Sequence, residues 1–175
     1  MDQQTIQQFV NTLYDLAPWQ LSLLRHGYTP GQMYNPSPAP TPRAMQIFLT
    51  IVPEGISEPE EETLFLVTYL FANTRHHSGE GNLGLSARIL ANRDPNLKNV
   101  LERRLMILLD TTHPAYLRRN MLDFIKCLDR QGIGVNYQRL IEDLLNWHDP
   151  NCKVKIAWLR SFLLPPPRPW SKSKP

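Results

Sequence analysis

Apolar residues in this chain return at intervals of three and four in nearly every segment, and no stretch alternates apolar with polar over the length of a strand. A half-buried strand needs that alternation, so the pattern restricts the chain to an all-α fold. Ile6, Phe9, Val10, Leu13 and Leu16 predict a first helix from Thr5 to Leu16. Pro18 opens a second through Leu21, Leu23 and Leu24, at a position where its missing donor costs nothing. Arg43 to Val52 reads as a third, with Met45, Phe48, Ile51 and Val52 inward. Ser57-x-x-Glu60 is a capping-box signature ahead of Leu64, Val67, Leu70 and Phe71, predicting a helix to about Thr74. Further helices are expected near Leu85 to Ala91, from Asp94-Pro95 (core Leu97, Val100, Leu101, Leu105, Leu108), and from Thr112-His113-Pro114 to Gly132. Tyr137, Leu140, Ile141, Leu144 and Leu145 mark another, and Val154, Trp158 and Phe162 the last. Eight or nine helices joined mostly by short loops predict two small packed helical bundles.

Two segments break the periodicity. Between Gly27 and Pro42 stand Pro30, Pro36, Pro38 and Pro40, which predicts an extended loop over 27–42. Pro165, Pro166, Pro167 and Pro169 predict a polyproline-like or disordered tail over 165–175. The chain therefore divides into an N-terminal helical region over 1–74, a basic C-terminal helical region over 75–164, and that tail. With 175 residues, 42% apolar and 20% charged, it can bury a core. No apolar run is long enough for a membrane helix, and the first residues lack a secretory pattern. Cys127 and Cys152 are too few for a disulfide framework, so a reduced, cytoplasmic setting is expected.

The net charge of +3 conceals a polarised chain. Up to Thr74, two basic residues (Arg25, Arg43) face seven acidic ones, a balance of −5. From Arg75 onward 17 basic residues face nine acidic ones, a balance of +8. Such asymmetry points to a polyanionic partner, or to mutual attraction between the halves.

Residues for catalysis are hard to assemble. There is no phosphate-binding glycine loop, no Gly-x-Ser-x-Gly elbow and no His-Glu-x-x-His pair. His76 and His77 are adjacent, with Glu80 and Asp94 at no recognised ligand spacing, and read as solvated loop residues. Cys127, beside Lys126, reads as a buried structural thiol; Cys152 has no histidine and acid arranged around it. The acids from Glu58 to Glu62 match the dipole of a helix start. No enzyme, no metal and no cofactor is expected.

What remains is basic residues carried on helices. Arg103 and Arg104 lie on one, and Arg118, Arg119, Lys126 and Arg130 on the next, where Arg119, Lys126 and Arg130 can share a face. Lys153 and Lys155 decorate the last helix, Arg75 and Arg88 lie around the central loop, and Arg25 ends the second helix. Such residues can neutralise phosphates without reading sequence. Little aromatic interleaving accompanies them, so no base-stacking platform is expected. The other reading is solvated helix surface with pairs such as Asp123 with Lys126, or an adaptor whose basic half docks an acidic protein.

The segment from Asn82 to Phe162 resembles the CasB family, the small subunit of the type I-E CRISPR surveillance complex, Cascade. The resemblance is carried by Gly84-Leu85-Ser86-Ala87-Arg88-Ile89-Leu90-Ala91-Asn92, Glu102-Arg103-Arg104-Leu105, Ile133-Gly134-Val135-Asn136-Tyr137, Leu140 to Trp147, and Lys153 to Phe162. Arg25 after Leu23-Leu24, and Leu66 to Ala72, extend it more weakly toward the start. The resemblance implies two small helical bundles, no enzymatic activity, and two copies stacked along a ribonucleoprotein with other Cascade subunits. It implies contact with guide RNA, target DNA and the displaced strand, stabilising the R-loop, with sequence read by base pairing. Arg25, Arg88, Arg103, Arg104, Lys153 and Lys155 match family positions where basic residues occur. In the helix from Leu117 to Leu128, one alignment puts Arg118 and Arg119 on the family's basic positions; another puts Leu122 and Asp123 there. Glu58 to Glu62 do not suit a phosphate, and neither loop 27–42 nor the tail has a family counterpart.

Overall fold

The computed structural model describes residues 1–28 and 39–164; most of the expected proline-rich loop, and the whole tail from Pro165, lie outside the described residues. The described residues form α1 (Gln3–Tyr14), α2 (Pro18–Arg25), α3 (Pro42–Phe48), α4 (Glu58–Ala72), α5 (Leu83–Arg93), a 3-10 turn (Pro95–Leu97), α6 (Lys98–Asp110), α7 (Pro114–Asp129), α8 (Tyr137–Leu145) and α9 (Lys153–Leu163). The fold is all-α. Only isolated bridges, Tyr28 with Pro40 and Ser78 with Asn136, occur among the described residues. No helix among them is long and apolar enough to cross a membrane.

The helices pack in two groups. In one, α5 lies along α9, α6 packs on α5, and α7 packs on α6; in the other, α4 is flanked by α2 and α8, with α3 against α2 and α1 against α8. Thus α8, from the basic stretch of sequence, is held by α1 and α4 of the acidic stretch. At the centre is α4, whose Leu64, Phe65, Val67, Thr68, Leu70, Phe71 and Ala72 are all buried. Its one buried hydroxyl in mid-helix, on Thr68, donates to the Leu64 carbonyl at 2.9 Å, so no polar atom is stranded there. Close approach of α5 to α9 depends on Gly84, where a Cβ would fall on the Trp158 carbonyl oxygen.

Several boundaries differ from expectation, for local reasons. The first helix starts earlier because Asp2 is its N-cap, accepting from the Thr5 amide at 2.7 Å. Likewise Thr41 caps α3, which gives way to turns after Phe48 rather than running to Val52. Asn82 caps α5, which is longer than expected at both ends. At α4 the capping box forms, with the backbone N–H and the hydroxyl of Ser57 both donating to Glu60 at 2.8 Å. Val100, expected in the core, lies in the first turn of α6 and is 36% exposed. Cys127 is half-buried rather than buried. Asp123 lies near Arg119, 4.0 Å away, in place of the expected Lys126.

His77 is the clearest correction. Far from being solvated, its ring stacks on Phe71 with centroids 3.8 Å apart and meets the edges of Tyr14 and Tyr137. Its Nε2 faces two carbonyl oxygens, Phe71 at 3.2 Å and Thr74 at 3.1 Å, so that nitrogen carries a proton. Burial pushes the pKa of the ring down. A histidine next to a glycine-bearing loop reads as polar punctuation in one dimension; in three it joins α1, α4 and α8.

Candidate nucleic-acid interface

Helix α7 is strongly amphipathic: Leu117, Met121, Phe124, Ile125 and Leu128 are buried, which turns Arg119, Asp123, Lys126 and Arg130 outward. Gly132, at φ 71°, ends it: the Gly132 amide donates to Asp129 and the Ile133 amide to Leu128. That stop fixes Arg130 at the helix exit. On α6, burial of Leu101, Leu105, Leu108 and Leu109 leaves Arg103 and Arg104 exposed.

Between these two helices runs a groove of about 270 Å³ lined by Arg104, Lys126 and Arg130, with Asn120, Asp123, Ile107 and Phe124. Three cations from separate turns of two helices therefore meet in one depression beside one carboxylate. None of the three has an ion-pair partner within 4 Å among the described residues. Phe124, the groove's aromatic, is 1% exposed and offers no face to a base. Asn120 was not anticipated: its Nδ2 donates to Thr111 Oγ1 at 2.8 Å, tying α7 to the end of α6. Its place three residues before Asp123, on the Lys126 side of the helix, is the periodic signal that could have revealed it.

The other basic residues lie elsewhere, and several are engaged by the fold. Arg25 Nε donates to the Ala72 carbonyl at 2.6 Å, at the C-terminal end of α4, and Arg88 donates to the Leu164 carbonyl just past α9. Both place a cation where a helix exposes carbonyls. Arg118 lies over the Tyr28 ring, 4.2 Å from its centroid, on a different groove. Arg119 has Asp123 beside it, and Lys153 has Asp149 at 3.9 Å. Lys155 Nζ sits 5.3 Å from the Trp147 ring centroid. Arg103 points outward from α6, and Arg75 is exposed at the loop after α4 while its amide donates to Asp129 at 2.8 Å. The structure thus gathers Arg104, Lys126 and Arg130 and distributes the remaining eight.

Among the described residues no group of three or more His, Cys, Asp or Glu side chains could hold a metal ion. Asp143 is buried; its Oδ2 accepts from the Trp158 indole at 2.6 Å and its Oδ1 from Arg139 Nε at 3.0 Å. Burial pushes its pKa up despite those partners. It ties α8 to α9.

A sequence model of the family described as CRISPR-associated protein Cse2 (CRISPR_cse2) matches residues 31–163. The chain belongs to the Cse2 family. No curated protein matches its sequence. Solved Cse2-type structures share its fold: a Cse2-family CRISPR-associated protein from Thermus thermophilus superposes with a TM-score of 0.67 at 21% identity, over 91% of this chain and 96% of that one. CasB from M. ruber gives 0.69 at 23% identity, over 90% and 92%. A chain of a CRISPR RNA-guided surveillance complex gives 0.69 at 21% identity, over 91% and 92%. The resemblance read from residues 82–162 is thus borne out as family membership, and the Cse2 fold as the observed one.

Proposed function

We propose that this Cse2-family chain is a non-catalytic, cytoplasmic subunit of a type I-E CRISPR surveillance complex that holds nucleic-acid backbone through the α6–α7 groove. The observation that carries the reading is the convergence of Arg104, Lys126 and Arg130, free of ion pairs among the described residues. When cations of this kind take up phosphates, the counterions condensed on the nucleic acid are released, which favours polyanion binding without base recognition. The absence of an exposed ring in the groove agrees with a division in which base pairing reads sequence and protein holds the backbone. The remaining basic positions, Arg75, Arg103, Arg119, Lys153 and Lys155 among them, would extend the contact to guide RNA, target DNA or the displaced strand and so stabilise the R-loop. Other Cascade subunits and a second copy of the chain are the protein partners in this reading.

The test is salt-dependent binding of a single-stranded oligonucleotide. Replacing Arg104, Lys126 and Arg130 by alanine should lower the slope of log K against log salt by about 2, since each phosphate contact on a single strand contributes about 0.7. An unchanged slope overturns the assignment of the groove.

A second reading has one observation in its favour. Ile107 and Met106 are 51% and 39% exposed on α6 next to Arg103 and Arg104. Apolar side chains among cations suit a protein interface better than a phosphate track. An adaptor of this kind would bind an acidic protein surface and would show oligonucleotide affinity no greater than a lysine-rich control of equal charge.

A further inference from the structure

A second, larger groove opens on the acidic side of the molecule, between the first turns of α4 and α7 and the end of α8, with a volume of about 970 Å³. Half-buried Tyr28 and Leu66 give it an apolar wall with the buried Phe65 and Trp147 behind, Arg118 lies over the Tyr28 ring, and Glu58, Glu61 and Glu62 stand on its α4 side. Glu60 is engaged by the Met1 amine at 2.5 Å, whereas Glu58, Glu61 and Glu62 have no ion-pair partner among the described residues. An apolar groove rimmed by carboxylates that lack an ion-pair partner among the described residues suits a proline-rich, basic peptide, whose own N–H groups are few and whose cations meet the acids.

The chain contains such a segment. Residues 165–175 hold Pro165, Pro166, Pro167, Pro169 and Pro175 together with Arg168, Lys172 and Lys174, and no acid. Residues 29–38, whose neighbours in sequence Tyr28 and Pro40 line the same groove, carry no charge at all and cannot satisfy the carboxylates. Geometry permits the basic segment to reach. Lys155 over Trp147 puts the start of α9 beside the groove. The 11 residues of α9 carry the chain about 16 Å away from it. Eleven residues in polyproline form return about 34 Å, twice that distance. We propose that residues 165–175 dock in the α4–α7–α8 groove of their own chain, with Arg168, Lys172 and Lys174 meeting Glu58, Glu61 and Glu62. The proposal does not depend on the nucleic-acid reading.

Zero-length carbodiimide coupling of the full chain, prepared as an equal mixture of ordinary and 15N-labelled protein, tests it. Mass mapping should find Lys172 or Lys174 joined to Glu58, Glu61 or Glu62 within chains of one isotope. In the variant Glu61→Lys, links to the remaining Glu58 and Glu62 should fall at least five-fold, as they should for the unaltered chain in 1 M salt. Links spread equally over Glu80, Glu102 and Asp149 overturn the proposal. So do links found only between heavy and light chains, which would assign the groove to a second copy.

Discussion

The indole Nε1 of Trp158 donates to Asp143 Oδ2 across 2.6 Å, and both residues are at most 2% exposed. One hydrogen bond therefore couples α9 to α8, the helix that packs on α1 and α4, and so links the two helix groups. Arg139 holds the other carboxylate oxygen from the solvent side. Replacing Asp143 by alanine leaves the indole N–H buried without an acceptor and should cost about 2–3 kcal/mol in denaturant-induced unfolding. In a double-mutant cycle with Trp158→Phe the losses should be sub-additive, because either change alone already breaks the bond. Additive losses would show that the pair carries no coupling.

Gly84 sets the separation of α5 and α9. An alanine there would drive its methyl group into the Trp158 carbonyl, which is backbone and cannot swing aside as a side chain would. The helices would have to separate, and overpacking of this kind costs about 3 kcal/mol. Gly84→Ala should therefore lower the denaturation midpoint more than Gly55→Ser, where no described atom stands within 4 Å of the added Cβ and the cost is confined to holding a side chain at φ 75°, about 1–2 kcal/mol.

Two pH windows separate two kinds of titrating group. Burial holds the His77 pKa below its ordinary 6.5, so unfolding takes up a proton and stability falls as pH drops below about 6.5 toward the folded value. The carboxylates act lower. Glu60 is held down to about 2 by the Met1 amine and the N–H and O–H of Ser57. At Asp129 burial acts upward, but the Arg75 and His76 amides and the His76 ring outweigh it and hold the carboxyl down. Their contribution is present above the ordinary carboxylate range and is lost as pH falls through the folded values. A melting-temperature profile should thus decline in two stages. His77→Phe should remove the upper stage and leave the lower, whereas Asp129→Asn should shrink the lower stage to the Glu60 share and leave the upper in place.

The helices were legible because burial imposes a period that survives in one dimension: α7 and α8 appear where Leu117 to Leu128 and Tyr137 to Leu145 repeat. Boundaries were less so, since Asp2, Thr41 and Asn82 act as caps through single hydrogen bonds that leave no pattern. The basic groove was half visible. Lys126 and Arg130 share a helix and their spacing places them together, but Arg104 joins them only through the packing of α6 on α7. For the same reason Arg25 and Arg88 look no different in sequence from Arg104, although their partners are helix-end carbonyls 47 and 76 residues away.

That difference in partners predicts a separation of effects. Arg25 and Arg88 each place a guanidinium N–H on the carbonyl terminus of another helix, so Arg25→Ala and Arg88→Ala should lower stability by about 1–2 kcal/mol each. Neither removes a cation from the α6–α7 groove, and the salt slope of oligonucleotide binding should change by less than about 0.7 for either. Arg104→Ala and Arg130→Ala remove exposed side chains with no such partner among the described residues and should leave the melting temperature within about 1 °C. Each should cut the slope by about 0.7. Measuring unfolding and binding on the same four variants sorts them into two pairs. If Arg25→Ala and Arg104→Ala lose stability and slope in equal proportion, the distinction between a helix-capping arginine and a phosphate-facing one fails.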